Sequence, residues 1–110
     1  MLLPFSDKAF VSLTKLTDYL LNLNHAGGGS KAAFFTSLGY NHLNIHQFTL
    51  ALLDIAETEQ VTKIFNTAFG TKYIIDRVLL TPNGRNPLIT TVWIIENQSD
   101  IPKLVTAYPK

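Results

Sequence analysis

The sequence predicts an α+β domain in which an antiparallel sheet packs against about three N-terminal helices. Two runs, residues 73–80 and 88–96, are rich in β-branched and aromatic residues, which are typical of strands. The connection at residues 81–85 contains Pro-Asn-Gly, which is typical of a tight turn. The N-terminal half instead spaces its apolar residues at helical intervals and interrupts them with glycine. This order, helices and then strands, indicates that the two kinds of element form separate layers.

The strand at residues 88–96 is predicted to be central. Its apolar residues, including Trp93, occupy both alternating faces, so it needs a neighbour on each edge and cover on at least one side. Residues 103–108 supply a third strand, and the three strands form a meander. One or two further strands are expected from residues 9–13 and 60–66. The second of these segments is also compatible with a longer preceding helix, but its Val, Thr and Ile content favours a strand.

Three helices are predicted ahead of the sheet. The first, residues 14–21, has apolar side chains three and four residues apart. The second covers residues 31–38, with Ser30 placed to cap its first turn and Gly39 to end it. The third begins after Asn44, whose carboxamide is a suitable cap. Its apolar face comprises Ile45, Phe48, Leu52, Ile55 and Ala56.

Length and composition favour one soluble domain over residues 1–110. The chain is 46% hydrophobic and 15% charged, which is typical of a protein that folds on its own. Its 9 basic and 8 acidic residues give a net charge of +1, so any contact with nucleic acid must be local. The absence of cysteine excludes disulfides, thiolate metal sites and thiol catalysis. No signal sequence or bilayer-spanning run is present, so we predict a cytoplasmic protein without membrane contact.

A glycine-rich stretch beginning at His25 is the segment that most suggests a site. A glycine loop that enters a helix exposes backbone N–H groups to an anion, which makes Gly28, Gly29 and Ser30 candidate phosphate ligands. Lys31 adds a positive charge beside them. The spacing does not match a Walker loop. The alternative interpretation is a flexible loop that ends at a capped helix.

Histidine is the residue type best suited to proton transfer near neutral pH, and the chain has three. His42 and His46 share a helical face only if the third helix starts by His42, and the cap at Asn44 argues against that. No glutamate or cysteine completes a metal motif. We therefore predict no metal and no cofactor, and we select His25, beside the glycine loop, as the acid or base candidate.

Hydroxyl groups on the predicted strands form a second set of candidates. Thr91 lies on the central strand, and Thr106 and Tyr108 lie on the last strand, where they could bind a phosphate or a base edge. Arg85 in the hairpin turn is a nearby cation. The alternative is that these are ordinary strand residues and a solvated loop arginine.

Several stretches together resemble an uncharacterised bacterial domain family, and they extend over almost the whole chain. They are residues 15–22, 29–35, 38–40, 69–73, 81–85, 91–93 and 104–109. Members of this family occur alone as small proteins or fused to filamentous-haemagglutinin-type adhesins. The resemblance implies a fold and a bacterial context, and it assigns no activity.

The closing Leu-Val-Thr-Ala-Tyr-Pro also resembles the last strand of ribonuclease-A-like toxin domains from contact-dependent inhibition systems. There, a Thr and a Tyr near the terminus line the active site, and Thr106 and Tyr108 match them. The similarity implies metal-independent RNA cleavage, with His25 and Lys31 assigned by position as acid or base and as phosphate ligand. The alternative function is a non-enzymatic module that binds a protein encoded nearby, such as a toxin or immunity partner, or forms a homo-oligomer through an open edge strand.

Overall fold

The computed structural model describes all residues, 1–110, and has the predicted α+β architecture. The helices are α1 (Leu13–Lys15), α2 (Gly29–Ser37) and α3 (Ile45–Thr58), with a 3-10 turn at Ser6–Lys8 and a π-helical segment at Leu16–Leu20. The strands are β1 (Lys63–Asn66), β2 (Gly70–Val78), β3 (Leu88–Glu96) and β4 (Lys103–Pro109). They form one sheet in the order β1-β2-β3-β4, and every neighbouring pair is antiparallel. The helices therefore precede the strands along the chain.

Strand β3 is central, as predicted, with β2 on one side and β4 on the other. Trp93 is fully buried and lies opposite Tyr73 of β2 and Leu104 of β4. Its indole N–H donates to the hydroxyl of Thr91 at 2.9 Å, and that hydroxyl donates to the Ile75 carbonyl at 3.1 Å. A buried indole N–H without a partner would destabilise the fold, so Thr91 makes the burial of Trp93 possible.

The hydrophobic core lies between the helices and one face of the sheet. Phe48 of α3 contacts Phe35 of α2 with ring centroids 5.1 Å apart, and Tyr40 stacks on it at 4.4 Å. The Tyr40 hydroxyl donates to the Leu80 carbonyl at 2.7 Å, so this aromatic group also ties the helices to the end of β2. The buried hydrophobic side chains include Leu20, Leu38, Leu52, Ile75, Val92 and Trp93. Phe34 and Val105 are only partly buried.

Two predicted helix caps differ from the structure. Helix α2 begins at Gly29 with Gly28 at the N-cap position, so Ser30 lies inside the first turn and does not cap it. Asn44 occupies the N-cap position of α3, but its side chain bonds elsewhere. Its carboxamide accepts from the Asn41 N–H at 2.8 Å and donates to the Gly39 carbonyl at 2.7 Å. These bonds fold the α2–α3 connection back on itself, which the local sequence did not reveal.

Of the two additional segments predicted as strands, one forms a strand and the other does not. Residues 60–66 are confirmed as a strand over Lys63–Asn66. Residues 9–13 form no strand, because only Phe10 bridges to Lys103 and α1 begins at Leu13. The Phe10 backbone makes two hydrogen bonds at this bridge. Its N–H donates to the Pro102 carbonyl, and its carbonyl accepts from the Leu104 N–H. This single contact covers the start of the β4 edge.

Two local irregularities shape the region that becomes the candidate site. The predicted helix at residues 14–21 widens into a π-helical turn, in which the Leu21 N–H donates to the Leu16 carbonyl at 2.8 Å. Strand β4 contains a bulge, because Val92 pairs with Thr106 whereas Trp93 pairs with Leu104. π-bulges and β-bulges both occur often next to functional sites, where they redirect side chains.

We predict that Thr91→Val destabilises the domain by about 1–3 kcal/mol, because the buried Trp93 N–H loses its acceptor while the shape is kept. The measurement is the free energy of unfolding in urea, with Thr71→Val on β2 as the matched control. The Thr71 hydroxyl only contacts Asn66 on the surface, so that change should stay within about 0.5 kcal/mol. Equal losses for both variants would contradict this role of Thr91.

Candidate active site beside the last strand

A hydrogen bond between two side chains joins the N-terminal region to the last strand. The hydroxyl groups of Tyr19, in the π-helical segment, and Thr106, on β4, lie 2.8 Å apart. Thr106 follows the bulge and alternates with the core residue Ala107, so its hydroxyl does not point into the core. The two irregular elements thus meet at one pair of hydroxyl groups.

Two lysines surround the Tyr19 ring. The ammonium nitrogen of Lys31 lies 5.6 Å from the ring centroid and that of Lys15 lies 5.5 Å from it. Burial alone would raise the pKa of the Tyr19 phenol, but hydrogen bonding to Thr106 and the interactions with Lys31 and Lys15 outweigh burial. The pKa of Tyr19 is therefore lowered from its ordinary value of about 10, which brings this phenol closer to proton transfer at neutral pH.

His25 lies against the same tyrosine. The two ring centroids are 5.0 Å apart, and the rings meet edge to face at 64°. The Nδ1 atom of His25 accepts a hydrogen bond from the Gly27 N–H at 3.1 Å. A nitrogen that accepts a hydrogen bond carries no proton, so His25 is neutral in this arrangement and its Nε2 bears the hydrogen.

The backbone amides of the glycine loop are only partly available to a phosphate. The N–H groups of Gly28 and Gly29 both donate to the His25 carbonyl, at 3.3 and 3.0 Å, so they are already engaged. The first bond of helix α2 runs from the Ala32 N–H to the Gly28 carbonyl. The amides of Ser30 and Lys31 precede that bond and remain available to an anion.

Gly28 has a steric function instead. A Cβ atom at this position would lie 2.5 Å from Cε1 of the Tyr19 ring and 3.2 Å from Nδ1 of His25. The absence of a side chain therefore allows the loop to hold Tyr19 and His25 together.

An open cleft of about 460 Å³ lies beside this cluster. It is lined by Ser30 and Lys31 from the start of α2 and by Tyr108 and Pro109 from the end of β4. Three predicted site residues, Ser30, Lys31 and Tyr108, thus meet at one place. Tyr19 connects them to Thr106 and His25, so the structure gathers both ends of the chain around a single opening.

Two predicted ligand-binding residues lie elsewhere. Thr91 is fully buried and its hydroxyl is used by Trp93 and Ile75, so it is a core residue that no ligand can reach. Arg85 is exposed in the β2–β3 turn and does not line the cleft. That turn is held instead against the C-terminal end of α2, where Asn83 contacts the Ser37 carbonyl at 2.9 Å.

The central residue of the cluster, Tyr19, was missed as a candidate. The sequence placed it on the apolar face of a helix, and helical spacing alone treats such a tyrosine as part of the core. A usable signal was present in Lys15, which precedes Tyr19 by one helical turn and is therefore expected on the same face. The partner Thr106 is 87 positions away in sequence and no local pattern connects the two.

The remaining features do not form a competing site. A smaller cavity of about 250 Å³ between α3 and β2 has mainly apolar walls, with the Arg77–Asp54 ion pair at 2.7 Å on its rim. His42 and His46 are both exposed near the start of α3. No three His, Asp or Glu side chains converge as metal ligands, and no helix is both long and apolar enough to cross a bilayer.

The fold and this cluster define a small α+β domain with a polar cleft where the helices meet the last strand. The chain belongs to the family described as domain of unknown function DUF6883, whose model matches residues 2–110. The fold is similar to a chain of the contact-dependent growth inhibition toxin–immunity protein complex from Klebsiella pneumoniae 342. That similarity has a TM-score of 0.65 and 18% identity, and it covers 96% of this chain and 97% of the other. No curated protein matches by sequence.

We predict that Gly28→Ala displaces the Tyr19 ring and breaks its bond to Thr106, because the added methyl group would overlap the ring. The measurement is a pH titration of phenolate absorbance. The contribution of Tyr19 is obtained by subtracting the absorbance of the same protein without Tyr19. The pKa of Tyr19 should change in the variant. Gly27→Ala is the matched control, since its nearest neighbour would be 3.8 Å away, and it should leave the titration unchanged. An unaltered titration in Gly28→Ala would contradict this steric role.

Proposed function

We propose that this protein is a toxin-type domain that cleaves RNA without a metal ion and acts in the cytoplasm. The observation that carries the proposal is the Tyr19 phenol, which is bonded to Thr106 at 2.8 Å, flanked by two lysines and placed beside a cleft. This arrangement combines a proton-transfer group with positive charge for a phosphate. Both are needed for cleavage of a phosphodiester.

The reaction requires only groups that the RNA and the protein supply. The 2′-hydroxyl of the RNA loses its proton to a base, and its oxygen forms a bond to the adjacent phosphorus. The bond from phosphorus to the 5′ oxygen breaks, and that oxygen takes a proton from an acid. The products are a 2′,3′-cyclic phosphate and a free 5′-hydroxyl end, so no oxidant or other co-reactant is consumed.

We assign the acid to Tyr19 and the base to His25. Tyr19 has a lowered pKa, which favours donation of its proton to the leaving oxygen. The one nitrogen of neutral His25 that can take a proton is Nδ1, which faces the Gly27 amide. Base catalysis therefore requires the 2′-hydroxyl to replace that amide at Nδ1. The contact lies in an exposed loop, where such an exchange is feasible.

The remaining residues bind the substrate. Lys31 and the free amides of Ser30 and Lys31 supply donors for the phosphoryl oxygens, and Lys15, 5.5 Å from the centroid of the Tyr19 ring, adds a second positive charge. Thr106 orients the Tyr19 hydroxyl. Tyr108, on the wall of the cleft, presents an aromatic ring on which a base can stack.

The comparisons bear on this proposal through the fold and through one strand. The similar solved fold comes from a toxin–immunity complex, although 18% identity carries the fold alone. The C-terminal strand that resembles ribonuclease-A-like toxins is the one that carries Thr106 and Tyr108. The fold similarity fits a toxin and an immunity protein alike, so the resemblance of β4 is what favours the toxin-type class.

A second candidate function is a non-enzymatic module that binds a protein partner. The observation that favours it is the edge strand β1, all of whose residues are exposed and which pairs on one side only. A toxin or immunity partner encoded nearby could add a strand there. This function would leave RNA intact, and pull-down with the neighbouring gene's product would identify the partner.

We predict that Tyr19→Phe reduces the rate of RNA cleavage by about 10²–10⁴, because only the acidic hydroxyl is removed. The assay is incubation of purified protein with labelled single-stranded RNA in EDTA, with detection of the cyclic phosphate end. Tyr73→Phe, on β2, is the matched control and should cleave at the wild-type rate. His25→Ala should show a loss of similar size. Equal cleavage by wild type and Tyr19→Phe would indicate a contaminating nuclease and would contradict the proposal.

We also predict that cleavage by the wild-type protein declines at alkaline pH, as Tyr19 loses the proton that it must donate. The pKa of Tyr19 is lowered in part by Lys31, so Lys31→Met should raise it and move this decline to higher pH. Lys63→Met, on β1, is a lysine control and should leave the pH at half-maximal rate unchanged. If Lys31→Met reduces the rate but the rate still declines at the same pH as in the wild type, Lys31 binds phosphate and does not set the pKa of Tyr19.

A further inference from the structure

The two edges of the sheet differ in how they are covered. Strand β4 is contacted by α2 and, at Phe10, by the N-terminal segment. Strand β1 pairs with β2 on one side and has no strand on the other. The segment Met1–Leu3 lies beside the chain just before β1, where the Val61 N–H donates to the Met1 carbonyl and Leu2 bridges to Gln60. The open edge therefore begins after these contacts.

The direction of the backbone groups on β1 follows from its pairing. The Thr67 N–H donates to the Gly70 carbonyl, and residues alternate along an antiparallel strand. Lys63 and Phe65 therefore direct their N–H and C=O groups toward β2. Ile64 and Asn66 direct theirs outward, away from the sheet. The open edge presents two donors and two acceptors in the spacing that another strand requires.

The side chains at this edge are unusually apolar for an exposed strand. Phe65 is 52% exposed and Ile64 is 47% exposed, while Phe69 in the following turn is 78% exposed. Open edges are normally protected by charge, proline or a bulge. Lys63 is the one charged residue of β1. An apolar edge with unused backbone groups is characteristic of a strand-pairing surface.

We propose that β1 pairs antiparallel with β1 of a second copy of this chain, around a two-fold axis that passes beside Phe65. In this register Ile64 of each copy exchanges two backbone hydrogen bonds with Asn66 of the other, which gives four in total. The sheets of the two copies then join into one continuous sheet.

This register is self-complementary in its side chains. The two Phe65 residues lie directly opposite each other in a non-hydrogen-bonded pair, with Cα atoms about 4.5 Å apart, where aromatic rings contact best. Lys63 lies opposite Thr67 of the second copy, so no like charges are brought together. The pairing uses residues 63–67, which are the residues that the N-terminal segment leaves uncovered.

The inference does not rest on the proposed RNA cleavage. The cleft beside Tyr108 lies at the β4 side of the sheet, and the pairing surface is at the opposite edge. Both can therefore be present in one molecule. A pairing of such short strands buries less than the roughly 1,200 Å² of a stable complex, so we expect a dimer that depends on protein concentration.

Cysteine crosslinking tests the register directly, because the chain contains no cysteine of its own. In Phe65→Cys the two introduced thiols face each other at a distance that a disulfide can span. In the control Ile64→Cys the two Cα atoms are roughly 8 Å apart by strand geometry, which is too far. Under mild oxidation, Phe65→Cys should form covalent dimers at least about ten-fold faster than Ile64→Cys. Equal rates would overturn the proposed register.

Amide hydrogen exchange provides a second measurement on the unmodified protein. The N–H groups of Ile64 and Asn66 should become protected as protein concentration rises, because they are bonded only in the dimer. The N–H of Phe65 points toward β2 and is the internal control, so its protection should depend little on concentration. Ile64 and Asn66 amides that exchange freely at every concentration would overturn the inference, whatever the result of the RNA assay.

Discussion

The structure depends on the burial of the Trp93 indole within the central strand. Trp93 is the largest fully buried side chain of the core, but its N–H group must be satisfied for burial to be favourable. Thr91, two residues earlier on the same strand, provides the acceptor at 2.9 Å, and its own hydroxyl donates a hydrogen bond to the Ile75 carbonyl. The tryptophan is thus satisfied within the sheet, without help from the helices.

That arrangement also constrains the strand beside it. Val105 is inserted where β4 passes Trp93, since Val92 pairs with Thr106 and Trp93 with Leu104. Leu104 and Ala107 are consequently both buried, although they are three residues apart. Thr106 is left on the side that Tyr19 approaches. The same irregularity that fits β4 against the core therefore places the hydroxyl that bonds to the candidate acid.

The charge distribution explains how a nearly neutral chain can present a cationic site. Several cations are paired with acids at the surface, including Lys8 with Asp100 at 2.6 Å and Lys103 with Glu96 at 2.8 Å. Lys15 and Lys31 form no ion pair with an acid and instead lie over the Tyr19 ring. The net charge of +1 is therefore compatible with a local excess of positive charge around Tyr19. Such an excess is what a phosphate-binding cleft requires.

The amino-acid sequence by itself determined the fold class, the meander and the central position of Trp93. These follow from residue type and periodicity, which act over a few neighbouring positions. It also indicated His25, Lys31, Thr106 and Tyr108 as candidates, because glycine loops and hydroxyl-bearing strands are local patterns. Only the tertiary structure decided which of the candidates meet.

The tertiary structure places Thr91 in the core and Arg85 in a remote turn. It also engages the Gly28 and Gly29 amides within the loop and places Tyr19 at the centre of the cluster. The physical reason is that hydrogen bonds such as Tyr19–Thr106 join residues 87 positions apart. Their geometry depends on a π-turn and a bulge, and neither is encoded in the periodicity of either segment.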